Sequence, residues 1–345
     1  MIQITLDRAG QALLERHAAW WAREASLISR APGTPLRHLW LPLADGTEAK
    51  EDLDVRPEML DVDRLVGKPL PPGPLEVQGE LFWARAPYMR VPWVEAILGT
   101  PIRATIQGGS MRTMAFIEDW AVWEEAPSHR DEAWLDLLVR ATELLAARSG
   151  GRYAVAQTLM RGPSDLAEAV LGPELMSYSI YDYPDALRRF LDEVTATFVE
   201  ILRAQLARIP PVEGGYVTPF GIWAPGTVVR TQCDATAFLS GAQYAEWFLP
   251  YDERISEAVD YSIIHLHSVS LHTVDALLAV ERPHAIQVTL EDPGPSLEEM
   301  LPIFRKVLEA KPLLLEGPLS EDEVTWLRAR LPAGGLAITA FDSEW

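Results

Sequence analysis

Two histidines, His265 and His267, lie two residues apart in the apolar run at 261–268, YSIIHLHS. On a β-strand, residues i and i+2 face the same side, so both imidazoles project together. A pair of neutral imidazole nitrogens can hold a divalent metal. The other use of such a pair is as hydrogen-bonded polar groups in a wet pocket. Asp234 closes a second apolar run, VVRTQCD at 228–234. An aspartate there can ligate a metal, act as a general base, anchor a substrate cation or cap the following segment. Glu316 ends a third run, PLLLEGP, where Gly-Pro follows it. Cys233 has no histidine or second cysteine beside it and is expected to be a small buried hydrophobe. Trp83 and Trp223 lie in turn-rich segments, where an aromatic side chain can wall a pocket for a flat or apolar ligand. The chain has no G-x-S-x-G or H-E-x-x-H pattern, so motif-encoded serine-hydrolase and zincin chemistry is not indicated.

The elements that must position these residues follow from the hydrophobic rhythm. From about residue 100, short β-prone runs alternate with longer amphipathic ones. The expected strands are 102–106, 153–159, 215–220, 228–233, 262–267, 285–290, 312–315 and 336–339. Between them fall expected helices at 132–148, 164–171, 184–207, 241–259, 274–280, 296–308 and 320–330. Strand–helix alternation implies a parallel sheet covered by helices. Eight such strands over roughly 250 residues fit an α/β (β/α)8 TIM barrel, in which reactive residues gather at the carboxyl ends of the strands. The alternative, a doubly wound open sheet, lacks any glycine-rich phosphate fingerprint after a strand. Residues 1–345 read as one domain, with a barrel body at 101–345. Residues 1–100 read as an irregular proline-rich N-terminal subdomain, with an amphipathic helix at 8–28, turn-rich runs (APGTP, GKPLPPGP) and a short helix near 57–65.

Composition narrows the partners. The 345 residues carry 50 acidic and 30 basic side chains, a formal charge of −20. That balance argues against a nucleic-acid backbone or an anionic membrane as partner. One cysteine allows neither an internal disulfide nor a cysteine-rich cluster, as suits a reducing compartment. No apolar run is long enough to span a bilayer, and the first 21 residues lack a signal-peptide plan. A cytoplasmic protein acting on a small molecule is expected.

Several segments resemble a known family. The run at 230–250, RTQCDATAFLSGAQYAEWFLP, carries an Asp, a short loop, Ser-Gly, an aromatic and a Glu-x-Phe-x-x-Pro-like ending. A strand with His-x-x-Ser follows. VPWVEAILGTPI at 91–102 and RGPSDLAEAVLG at 161–172 are similar in style. Over roughly residues 50–345 the chain resembles the uroporphyrinogen decarboxylase superfamily, which also holds cobamide-dependent zinc methyltransferases. The resemblance implies a TIM barrel with a deep cleft at the strands' carboxyl ends. It also implies that Arg90, in YMRVPW, contacts substrate in the manner of the decarboxylases' arginine-rich loop, although Q-A-G-R is missing. That absence and the acidic charge disfavour uroporphyrinogen itself. In the methyltransferase branch, zinc is held by His-x-Cys and a later Cys. Those positions correspond here to His265, His267 and the neighbourhood of Glu316. The resemblance therefore implies a metal-dependent methyltransferase with zinc on His265, His267 and Glu316, and Asp234 orienting the acceptor or moving its proton. The methyl donor would be a corrinoid carried by a partner protein, or a small methylated compound, and a homodimer is plausible within the family. The competing expectations are a metal-dependent lyase, decarboxylase or hydrolase on the same barrel, and a non-catalytic binding module.

Overall fold

The computed structural model describes residues 4–31, 38–125, 129–291 and 293–341. Most of the APGTP turn lies outside them. The chain opens with helix α1 (Arg8–Trp21), whose N-cap Asp7 accepts from the Gly10 N–H at 2.8 Å. Strand β1 (Leu27–Ala31) follows. Next come β2 (Ala84–Arg85), helix α2 (Glu132–Arg148), β3 (Ala154–Val155), and helices α3 (Pro163–Asp182) and α4 (Pro184–Leu206). The second half runs β4 (Val228–Gln232), β5 (Tyr261–His267), β6 (Ala285–Thr289), helix α5 (Leu297–Ala310), β7 (Leu313–Gly317), helix α6 (Glu321–Arg330) and β8 (Leu336–Phe341).

Six strands form one parallel sheet in the order β1-β8-β7-β6-β5-β4. β2 and β3 pair in parallel with each other. The architecture is thus mixed α/β around a parallel sheet, compatible with a barrel-like fold, and the ladder is not continuous around a closed barrel. At one gap the Gln157 amide bridges by side chain, donating to Arg230 O at 2.8 Å and accepting from Arg230 N at 3.1 Å. At the other, Ser29 Oγ donates to Gln78 O at 2.8 Å and Ile28 N to Glu80 Oε2 at 2.6 Å.

Two expected barrel strands are placed elsewhere. Ile102–Thr105 pairs antiparallel with Leu53–Val55 and Ser110–Thr113 in a separate sheet. Tyr216–Val217 forms an antiparallel hairpin with Trp223–Ala224. Both are short and apolar, and period alone does not separate a parallel core strand from a hairpin arm. Conversely, β1 lies inside the segment expected to be the N-terminal arm, yet it pairs residue for residue with β8, Leu27 opposite Ala337.

Helix positions follow their caps and stripes. α4 begins with Pro184, whose fixed φ suits a first turn. It buries Leu187, Phe190, Leu191, Val194, Phe198, Ile201 and Leu202, the i, i+3, i+4, i+7 pattern of a core-facing helix. Capping boxes Ser296/Glu299 and Ser320/Glu323 start α5 and α6. α3 runs past its expected end at 171 after a break at Gly172 (φ 76°) and Pro173.

Register sorts the sheet's two faces. Val229, Ile264, Leu266, Ile286, Val288, Leu313, Leu315 and Ile338 face the helices and join Phe304, Val307 and Leu327 in the main core. The other face is apolar near the strands' amino ends, where Leu27, Ile263, Ala285, Leu314 and Ala337 cluster with Trp20. Toward the carboxyl ends it turns polar. Gln232, His265 and Gln287 are opposed across three strands, and two residues further on come His267, Thr289, Glu316 and Thr339. Paired residues of a parallel ladder face the same way, so these side chains share one surface. None of the described helices is long and apolar enough to cross a membrane.

Candidate metal centre

Asp234, His265 and His267 converge at the carboxyl ends of β4 and β5. One ligand atom from each lies within 4.8 Å of the other two. His265 Nε2 is 3.6 Å from Asp234 Oδ1, and His267 Nε2 is 3.6 Å from Asp234 Oδ2. The imidazole centroids are 4.8 Å apart at 84°, as the two-residue strand spacing requires. Each ring is anchored by its other nitrogen. His265 Nδ1 bonds Gln287 Oε1, and His267 Nδ1 bonds Glu291 Oε1. Glu291 is itself fixed, accepting from the Ser268 N–H at 3.0 Å. Second-sphere partners on Nδ1 that leave both Nε2 atoms pointing at one locus are what a histidine-bound metal requires.

Asp234 leads the short 3-10 turn Asp234–Phe238 but does not cap it. Asp165 does, accepting the Ala235 N–H at 2.8 Å. Asp234 Oδ2 accepts from Gln232 Nε2 at 2.7 Å. Its Oδ1 is buried without a hydrogen-bond partner. A buried carboxylate oxygen left unpaired is costly, and a cation between Oδ1 and the two Nε2 atoms would satisfy it. The residues therefore fit a divalent ion with an N2O donor set, which zinc accepts. Glu316 is not brought into this group. It stands two strands away on the same face, where Gln287 Nε2 reaches its Oε2 at 3.4 Å.

Charges around the site are set by burial and by one another. Burial, with help from the Arg230 charge, drives His265 down to about 3, so its imidazole is neutral. The facing Asp234 carboxylate lifts His267 to about 9 against burial, with Glu291 assisting. Burial opposes the Asp234 charge, but His267, His265 and Arg230 outweigh it and hold the carboxyl below its usual range. Asp165 is pushed up to about 7 by burial and then by the Asp234 charge. Burial also carries Glu316 up to about 7, against Arg230, and Arg230 down to about 10. Arg230 is 4% exposed. Its guanidinium bonds Gln232 Oε1 and lies 5.6 Å from the Phe220 ring centroid.

Close approach is needed to build this cluster. A Cβ on Gly162 would sit 2.4 Å from Gln232 O and 2.8 Å from Thr231 Oγ1. Glycine there lets the start of α3 reach the end of β4, with Gly162 N–H on Gln232 O at 2.9 Å. That contact is what delivers Asp165.

A cavity of about 200 Å³ adjoins the cluster through Gln232. Arg90, Arg161, Glu95, Met89, Met111 and Leu159 are among its walls. Arg161 Nε pairs with the buried Glu95 at 3.0 Å. Arg90 is thus near the site. Trp223 is buried against α1, its indole N–H on Val212 O at 2.8 Å and its backbone N–H on His17 Nδ1 at 2.8 Å. Trp83 packs on Tyr153, 5.4 Å between centroids. Both precede their strands, at the amino ends, and neither is brought to Asp234. Cys233 is fully buried and its thiol is pushed well up, first by burial. Sequence reasoning missed Gln232, Gln287, Glu291 and Asp165. The available signal was a polar residue inside an apolar strand, Gln287 in AIQVTL being the plainest case.

Parallel strands under helices, with a histidine–carboxylate cluster at their carboxyl ends, define an α/β fold that carries a metal-ready centre. No protein-family model and no curated protein matches the chain. Among solved structures it is similar to a methyltransferase from Methanosarcina mazei. That match has 14% identity, 75% coverage of each chain and a TM-score of 0.52. The chain therefore shares a methyltransferase-like fold.

Proposed function

We propose that the chain is a metal-dependent methyltransferase whose zinc, or a similar divalent ion, is held by Asp234, His265 and His267 inside a (β/α)8 barrel. The observation carrying this reading is the convergence of two anchored imidazoles on the Asp234 carboxylate, whose Oδ1 is buried without a hydrogen-bond partner. The side-chain bridges from Gln157 and Ser29 across the two ladder gaps support the barrel. Asp234 takes the place expected of Glu316.

A bound ion would supply Lewis acidity, lowering the pKa of a thiol or alcohol acceptor at that position. The chain's own groups do the rest. His265 offers its Nε2 lone pair without losing a proton, since it is already neutral. His267 must release one. Arg90 and Arg161 line the adjoining cavity and orient a small acceptor, while Met89, Met111 and Leu159 limit water. The acceptor's proton leaves to water. Its sulfur or oxygen then forms the bond to the methyl carbon as the donor–methyl bond breaks, and that electron pair stays on the donor. The donor in this reading is a methyl-corrinoid on a partner protein or a small methylated compound.

The donor set favours a second reading. Two histidines and a carboxylate without thiolate also suit water activation, as in zinc hydrolases and lyases. The separating experiment measures metal content, then methyl transfer from methylcobalamin to a thiol, in wild type and Asp234→Ala. The proposal expects about one zinc per chain and transfer lost in the variant. Metal-free protein with full transfer activity refutes it.

A further inference from the structure

Resting on that metal reading, we propose that Gln232 and Gln287 are positioning residues, two amide relays whose orientation is locked by buried charges and fixes which ligand atoms stay free. Each amide engages its oxygen once and both of its N–H donors. The oxygen of Gln232 faces Arg230, and its nitrogen donates to Asp234 Oδ2 at 2.7 Å and to Asp165 Oδ2 at 3.1 Å. The oxygen of Gln287 faces His265 Nδ1, and its nitrogen donates to Thr289 Oγ1 at 3.0 Å and to Glu316 Oε2 at 3.4 Å.

The chemistry of the neighbours permits only this orientation of Gln232. A guanidinium can only donate, so the amide oxygen must turn to Arg230; carboxylates accept, so the NH2 must turn to Asp165 and Asp234. The NH2 therefore occupies Oδ2 of Asp234 and leaves Oδ1 bare, which is the oxygen without a partner. The second relay works on a tautomer. With the Gln287 nitrogen held by Thr289 and Glu316, its oxygen faces the imidazole and requires a proton on His265 Nδ1. Nε2 then carries the lone pair. Glu316 thus acts through Gln287, and Asp165 acts through Gln232 and the Ala235 amide on either side of Asp234.

The two amides and the Asp165 and Arg230 charges that lock Gln232 are buried: Gln287 is 0% exposed, Asp165 2%, Arg230 4% and Gln232 8%. Water cannot easily replace a missing relay there. Losing second-sphere partners of this kind typically costs about 10–100-fold in metal affinity.

The test uses full-length protein, zinc with a competing chromogenic chelator, and 15N NMR of the histidines in metal-free protein. Gln287→Leu and Asp165→Asn are compared with wild type, with thermal unfolding as the fold control. Gln287→Met, close in shape but without the amide, serves as a second variant should Gln287→Leu not fold. The expected result is zinc affinity lowered about 10–100-fold in each folded variant. In both Gln287 variants His265 also departs from the pure Nδ1–H tautomer seen in wild type. Wild-type zinc affinity in folded variants overturns the relays. If wild type binds no zinc, the metal reading fails, and the tautomer then decides alone. An unchanged His265 tautomer in a folded Gln287 variant overturns the proposal, and a changed one upholds it.

Discussion

Replacing Asp234 by Asn isolates the electrostatic heart of the site. The two side chains are nearly isosteric, but the carboxylate charge facing both histidines disappears. His267 Nε2 stands 3.6 Å from Asp234 Oδ2. At that distance two unit charges interact by about 1 kcal/mol in bulk water and about 4–5 kcal/mol at an effective dielectric near 20. The His267 side chain is 36% exposed, so solvent screening places the real value between these limits. At about 1.4 kcal/mol per unit, that is a loss of roughly one to three pKa units. His267 should therefore fall from about 9 toward the ordinary imidazole range, with Glu291 as its remaining support. Two-dimensional NMR of labelled histidine in metal-free protein, titrated from pH 5 to 10, reads this directly. The sign carries over to stability. A folded-state pKa above the unfolded value of about 6.5 stabilises fully below pH 6.5, and that contribution is lost as pH rises through 9. The variant should show a flatter stability profile in that window. It also carries over to metal binding. A group with pKa near 9 must release its proton, so apparent zinc affinity of the wild type should rise about ninefold from pH 7 to 8. A wild-type His267 midpoint at or below 6.5, or one that Asp234→Asn leaves in place, refutes the electrostatic account.

Three further outcomes are expected. Lys311 is 5% exposed, donates to Glu281 O at 2.9 Å and to Pro283 O at 2.5 Å, and is pushed down to about 8 by burial. Between pH 8 and about 10.4 the unfolded chain holds a proton there that the folded chain has lost. Stability should rise with pH by up to about 1.4 kcal/mol per unit in that window, and urea unfolding of Lys311→Met should lack that increment. Ser296→Ala and Ser320→Ala each remove a reciprocal cap and should destabilise by about 1 kcal/mol, adding together in the double variant because they start different helices. Zinc at a hundred times its dissociation constant should stabilise the wild type by about 2.7 kcal/mol, and calorimetry of His265→Ala should show no such gain.

The sequence made β4 through β8 legible because parallel strands buried on both faces read as short apolar runs between caps. It made His265 and His267 legible because two polar residues with period two interrupt such a run. It could not reveal β1, since a five-residue strand amid turns acquires its identity from β8, far away in the chain. Ile102–Thr105 and the segment around Tyr216 read as barrel strands from their apolar runs, but their antiparallel partners, Leu53–Val55 and Ser110–Thr113 for the first and Trp223–Ala224 for the second, hold them outside the parallel sheet. Glu316 and Asp234 were both visible as strand-end carboxylates. Which of them meets the imidazoles depends on the turn after β4 and on the Gly162 contact, neither of which leaves a periodic trace. The aromatic side chains misled in their own way. Trp223 and Trp83 are large and lie near loops, but those loops enter the amino ends of strands.

The pairing of Leu27 with Ala337 also has a consequence for biosynthesis. β1 leaves the ribosome about 310 residues ahead of its neighbour in the sheet. At 5–20 residues per second it waits on the order of tens of seconds for that neighbour. During this interval the apolar end of the inner face lacks Ala337, and the free edge of β1 is open to pairing with other nascent chains. Contacts this distant in sequence also slow the final closure, because the loop entropy is lost before the pairing repays it. The vulnerable species of this protein is therefore the chain in which β1 has been made and β8 has not.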